Sequence, residues 1–108
     1  MSEPVIRIAE LEVDPEHLDR YKALLAEEIE TSVAREAGVL FIHAVSIVGE
    51  PHLVRILEGY ADQTAYEAHL QTPHFLKYKM KTAGMIVSLQ LLPADAISLH
   101  GKEAVQIP

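Results

Sequence analysis

Apolar and polar side chains alternate from Val5 to Val13. Val5, Ala9, Leu11 and Val13 share one side with Arg7, while Ile6 and Ile8 take the other, followed by Glu10 and Glu12. A period of two is that of a strand with unlike faces. Asp14-Pro15 ends it and opens a helix: Asp14 can accept from free N–H groups, and Pro15 suits a first position whose N–H has no partner. From Pro15 to about Ala37 the period lengthens. Leu18, Tyr21, Leu25 and Ile29 recur at three and four, with Leu24 and Val33 beside them, so one face is buried and Glu27, Glu28, Glu30 and Arg35 fall on the wet side. Gly38 is expected to stop this helix in the left-handed conformation.

Val39 to Val48 is apolar on both faces, with Val39, Phe41, Val45 and Ile47 on one and Leu40, Ile42, Ala44 and Val48 on the other, the pattern of a strand covered on both sides. Gly49-Glu50-Pro51 reads as a turn and Leu53 to Ala61 as the returning strand of a hairpin. Asp62 caps a helix from Gln63 to Leu70, Thr72-Pro73 interrupts it, and His74 to Thr82 resumes it until Gly84. Ile86 to Leu92 is the last strand, stopped by Pro93. The tail from Ala94 to Pro108 has weak strand character at Ala96 to Leu99. Strand, helix, strand, strand, helix, strand is the order of a ferredoxin-like α+β fold, an antiparallel sheet with helices on one face. The whole chain, 1–108, reads as a single domain.

Two helices cover only one face of a four-stranded sheet, and the other face is also apolar here. A second copy of the chain is the simplest cover, so a homodimer is expected. The tail after Pro93 is long enough to cross to the partner.

Composition narrows the function classes. The chain is 49% hydrophobic, carries a formal net charge of −7 and has no run of Lys or Arg, which argues against nucleic acid and anionic membranes as partners. Without cysteine there is no disulfide, thiolate catalysis, iron–sulfur cluster or cysteine-bound zinc. The MSEPVIRI start lacks a signal-peptide pattern and no apolar run is long enough to span a bilayer, so a cytoplasmic location is expected. No glycine-rich phosphate loop, dinucleotide fingerprint or hydrolase nucleophile motif is present.

The candidate chemistry gathers between Glu58 and Lys79, EGYADQTAYEAHLQTPHFLKYK, where His69, His74, Tyr60, Tyr66 and Tyr78 lie around the Pro73 break. Neutral imidazole accepts a proton near pH 7, so His69 and His74 are the candidate general bases; a structural bond to a free carbonyl is their alternative role. The tyrosines can pack on an aromatic substrate or simply fill the core. His43 and Arg55, on adjoining strands, point either into a polar pocket or into the dimer interface. Metal binding is not expected: five residues apart on an unbroken helix, the two histidines stand about 140° apart. Glu58, Asp62 and Glu67 add no recognised ligand spacing.

The run from Glu58 through Asp62, Tyr66, His69 and Pro73 to Phe75 resembles the signature of the antibiotic biosynthesis monooxygenase domain family. EAHLQTPHF is similar to its quinol monooxygenase branch in particular. The opening strand, the Asp14-Pro15 helix start and Gly38 fit the same pattern. The resemblance implies a ferredoxin-like fold and a homodimer of the dimeric α/β-barrel kind. It also implies a pocket between sheet and helices, and oxidation of a quinol-like or polycyclic phenolic substrate by dioxygen with no metal or flavin. His69 and His74 carry over as catalytic residues, with Tyr66 and Tyr78 as pocket neighbours. An isomerase of a phosphorylated autoinducer-2 derivative shares the His69, Thr72-Pro73-His74 arrangement, so the motif speaks for proton transfer more firmly than for oxidation. That alternative needs a cationic site, for which Arg7, Arg55, Lys77, Lys79 and Lys81 are the candidates. Haem-degrading relatives use a tryptophan, and this chain has none. A non-catalytic dimeric binding module is the third possibility.

Overall fold

The computed structural model describes residues 3–102. Its elements are β1 (Val5–Val13), a 3-10 turn (Pro15–His17), α1 (Leu18–Arg35), β2 (Val39–Ile47), β3 (Glu50–Tyr60), α2 (Gln63–His69), α3 (Pro73–Thr82) and β4 (Ile86–Ala94). The strands form one antiparallel sheet in the order β2-β3-β1-β4. This is the expected α+β, ferredoxin-like arrangement. The core joins Ala9, Leu11, Val13, Val54, Ile56 and Tyr60 of the sheet to Tyr21 and Leu25 of α1 and Tyr78 of α3. The helix start is built as its sequence requires, with the Asp14 side chain accepting from Glu16 N–H at 3.0 Å and Pro15 in the first position.

Several boundaries differ from the sequence pattern, each for a local reason. Helix α1 ends at Arg35, and Glu36 is already extended at φ −104°, ψ 106°. Gly38 has no positive φ; among the described residues only Gly49 does, at 88°. What Gly38 supplies is room: a Cβ there would sit 2.5 Å from the Cβ of Ala65 on α2. The hairpin turn is therefore Val48-Gly49, and β3 starts at Glu50 and runs through Pro51.

The simple alternation in β2 also fails. The register shifts between Val39 and Phe41, so Val39 and Ile42 both enter the core and Leu40 is half exposed. Such a bulge puts two residues opposite one and turns the following side chains over. β4 continues through Pro93 to Ala94, opposite Arg7 and Ile6, because an edge strand tolerates a residue with no N–H to donate. Residues 96–99 are not strand. The end of the tail, 103–108, lies outside the described residues, and with it part of the expected crossing to a partner.

The face of the sheet away from the helices carries Ile8, Phe41, His43, Val45, Arg55, Leu57 and Leu92, as follows from the register and the alternation about Val54 and Ile56. Val45 is 60% exposed and Leu57 38%. No element among the described residues covers this face. No helix among them is long and apolar enough to cross a membrane.

Candidate active site

The Thr72-Pro73 break organises the site. α2 is capped by Asp62, whose side chain accepts from Ala65 N–H at 2.8 Å. It stops after His69, where the Thr72 hydroxyl donates to the His69 carbonyl at 2.8 Å. The same hydroxyl oxygen accepts from Phe75 N–H at 3.3 Å and so caps α3, which begins at Pro73. One threonine thus closes one helix and opens the next. The chain changes direction between the histidines, and the 140° of an unbroken helix does not apply.

Both histidines meet Glu36, at the frayed end of α1. His69 Nδ1 lies 2.9 Å and His74 Nε2 2.7 Å from the same oxygen, Glu36 Oε2. These three ligand-type atoms are within 4.8 Å of one another. The second ring nitrogen of His69, Nε2, is 3.3 Å from Glu28 Oε1, which accepts from the Ser32 hydroxyl at 2.9 Å. Glu28 is buried, 5% exposed, rather than on the wet side of α1 where its sequence context placed it. The signal for it was present: Tyr21, Leu25, Glu28 and Ser32 follow one another at four, three and four and form one inward stripe. Val33, expected beside that stripe, is half exposed.

The environments of the two carboxyl groups differ. Burial pushes the Glu28 carboxyl above its ordinary range, against the pull of the Ser32 hydrogen bond and the nearby imidazoles. Burial also opposes ionisation of Glu36, but the hydrogen bonds from His74 and His69 outweigh it and hold Glu36 below the usual carboxylate range. An ionised Glu36 accepts from both rings, while burial favours the proton-bearing form of the Glu28 carboxyl that faces His69 Nε2.

Of the tyrosines expected at the site, Tyr60 is fully buried, donates to Glu58 Oε1 at 2.6 Å and packs its ring 5.2 Å from that of His69. Tyr66 sits edge-on to Tyr60 and under the Arg7 guanidinium, 4.5 Å from ring centroid to Cζ. The Tyr78 and Tyr21 hydroxyls bond each other at 2.7 Å inside the core. Burial, above all, raises the Tyr60 and Tyr78 hydroxyls well above the phenol range. His43 and Arg55 lie on the opposite face of the sheet, away from this cluster. His43 stacks on Phe41, and Arg55 pairs with Glu10 at 3.3 Å. The residues that sequence reasoning missed are Glu28, Glu36 and Tyr21, all on α1 or at its end.

His69 is packed in, 2% exposed, whereas the His74 side chain is 15% exposed. His74 borders a hollow of about 10 Å³ between α1 and α3, lined by Leu24, Glu27, Glu28, Lys77 and Tyr78. Lys77 and Glu27 form an ion pair at its rim. A hollow of this size holds about one water molecule. It is smaller than the substrate pocket expected between sheet and helices. A larger open recess, about 410 Å³, lies by Arg55, Glu10, Leu53 and Gln90.

Two imidazoles meet on one carboxylate in an α+β, ferredoxin-like fold, and comparison with known proteins gives the family. The family model for antibiotic biosynthesis monooxygenase matches residues 4–81. A candidate antibiotic biosynthesis monooxygenase from Bacteroides thetaiotaomicron is 43% identical, with a TM-score of 0.90 over 93% of this chain and 97% of that one. A candidate monooxygenase from Lactobacillus acidophilus is 27% identical, with a TM-score of 0.81 over 84% of this chain and 43% of that one. A third, from Nitrosomonas europaea, shares the fold at a TM-score of 0.84 over 94% of this chain and 97% of that one, with 18% identity. No curated protein matches. The chain belongs to the antibiotic biosynthesis monooxygenase family.

Proposed function

We propose that this chain is a cofactor-independent monooxygenase that oxidises a quinol-like or polycyclic phenolic molecule with dioxygen, with His74 as the proton acceptor. The observation that carries the reading is the Glu36–His74 dyad. Glu36, kept ionised, accepts from His74 Nε2–H at 2.7 Å, which leaves Nδ1 as the basic nitrogen of the ring. His74 also borders a hollow, whereas His69 is sealed behind Tyr60 and Phe75. His69 then serves as the positioning partner that fixes Glu36. Once the substrate proton has passed to His74, the electron-rich anion can reduce dioxygen itself. The small hollow must widen for this, and the exposed Lys77–Glu27 pair at its rim is the part that can open at least cost.

The isomerase alternative fits less well. Arg55 is on the far face with Glu10 and Arg7 lies over Tyr66, while Lys77, which lines the hollow beside His74, is already paired with Glu27. The uncovered apolar face supports a homodimer packed sheet to sheet, with each protomer keeping its own histidine cluster.

The test is dioxygen uptake with a panel of quinols and polycyclic phenols. His74→Ala should lower kcat by a factor of about 100 or more with folding intact, as expected for loss of a general base. His69→Ala should act more weakly. Normal turnover by His74→Ala, or no oxygen uptake across the panel, would overturn the reading.

A further inference from the structure

The atoms that hold the two histidines to Glu36 also have the composition of a metal site. We propose that Glu36 Oε2, His69 Nδ1 and His74 Nε2 bind one divalent transition-metal ion of the zinc, cobalt or nickel type. The inference goes beyond the proposed reaction and does not depend on it.

Two imidazoles and one carboxylate suit ions of borderline softness and do not suit magnesium or calcium, which take oxygen ligands. Ion–ligand bonds of about 2.0–2.2 Å in a tetrahedral site require neighbouring donor atoms roughly 3.3–3.6 Å apart. The two nitrogen-to-oxygen edges are 2.9 and 2.7 Å, and all three atoms lie within 4.8 Å. Small side-chain movements are enough to open the first two edges and set the third.

No imidazole has to lose its only ring proton. Each moves it to the other nitrogen, which frees Nδ1 of His69 and Nε2 of His74. For His69 that other nitrogen, Nε2, already faces Glu28 Oε1 at 3.3 Å, and Glu28 is itself steadied by Ser32. A carboxylate behind a metal-binding histidine fixes the ring and its tautomer, and here it stands ready before any ion arrives. Three protein donors leave coordination positions for water, as in sites that are not purely structural. Of the three ligand residues, His74 borders a water-sized hollow. An ion here would occupy the Glu36 oxygen and put a proton on His74 Nδ1. Metal-loaded protein would therefore have no free base at His74.

The experiment uses the full chain, stripped with a chelator. Calorimetry with Zn2+ should give one ion per chain, and Co2+ should produce the visible absorption of a protein-bound ion. His74→Ala and Glu36→Gln should each abolish the Co2+ spectrum. Glu28→Gln should weaken Zn2+ binding about 10- to 100-fold. His17→Ala, a change at an exposed histidine far from the cluster, should leave binding unchanged. Should a site variant fail to fold, the 1H–15N imidazole spectrum of the unaltered protein decides: Zn2+ should shift the ring nitrogens of His69 and His74 and not those of the other four histidines. Absence of binding by the folded protein, binding that survives both His74→Ala and Glu36→Gln, or shifts confined to other histidines would overturn the proposal.

Discussion

Gly38→Ala should destabilise the protein and pull the candidate site apart, although Gly38 makes no contact with a histidine. The new Cβ would be 2.5 Å from the Cβ of Ala65, and ordinary contact between such atoms begins at 3.4 Å. α2 must then retreat by roughly 1 Å, because both atoms are attached directly to backbone and neither can rotate away. His69 is one turn further along the same helix. Its Nδ1 would move from 2.9 Å to about 4 Å from Glu36 Oε2, outside hydrogen-bonding range. Overpacking of this kind costs about 1–3 kcal/mol. With a urea slope of about 1–3 kcal/mol per M, the unfolding midpoint should fall by on the order of 1 M, read by circular dichroism. Ala65→Gly removes the offending carbon. Alone it should cost about 1 kcal/mol of helix stability, but in the Gly38→Ala background it should raise the midpoint. Gly38→Asn should be at least as harmful as Gly38→Ala. A neutral Gly38→Ala, no rescue by Ala65→Gly, or an Asn variant more stable than the Ala variant would refute the packing account. The last result would restore a left-handed cap in its place.

Three other outcomes test the interior and the far face. Tyr21→Phe and Tyr78→Phe should each cost about 1–3 kcal/mol by orphaning a buried hydroxyl, and the double variant should cost clearly less than their sum; additive losses in urea unfolding would deny the 2.7 Å bond. Burial, partly offset by the Tyr78 hydrogen bond, pushes the Tyr21 hydroxyl from 10.0 up to about 12. Since the folded form favours the protonated phenol, that stability is complete below pH 10 and is lost as pH rises through 12, on the order of 3 kcal/mol by urea titration; a flat profile over this range would contradict it. If the proposed sheet-to-sheet dimer forms, Leu57→Lys on the uncovered sheet face should convert it into a monomer by sedimentation, and an unchanged mass would place any partner elsewhere.

Much of the fold was legible because each element is marked locally. Asp14-Pro15, Asp62 and Thr72-Pro73 are capping and breaking signals whose physics needs no tertiary partner, and the structure uses all three. What failed was whatever depends on a neighbour. Gly38 looks like a helix stop from its position, but its smallness answers Ala65, 27 residues away. Leu40 breaks the alternation of β2 through a bulge that composition does not announce. Glu28 reads as solvated because it stands beside Glu27 and Glu30, and the Ser32 hydroxyl together with His69 makes its burial tolerable. The two histidines could be chosen from the motif, yet their shared contact, Glu36, stands four residues beyond Ser32 at the end of the inward stripe of α1, where a charged residue at a helix end reads as solvated. His43 and Arg55 show the converse: both are polar residues on apolar strands, and the parity of the strand puts them on the far side of the sheet.

The two borders of the sheet have one more consequence. β2 is interrupted by register shifts near each end, and β4 contains Pro93, whose nitrogen has nothing to offer a new strand. Neither rim presents an even ladder on which another chain could zip up. Growth into fibres by lateral strand addition is thereby discouraged, and the homodimer proposed above, packed broadside through its sheets, would terminate after one step.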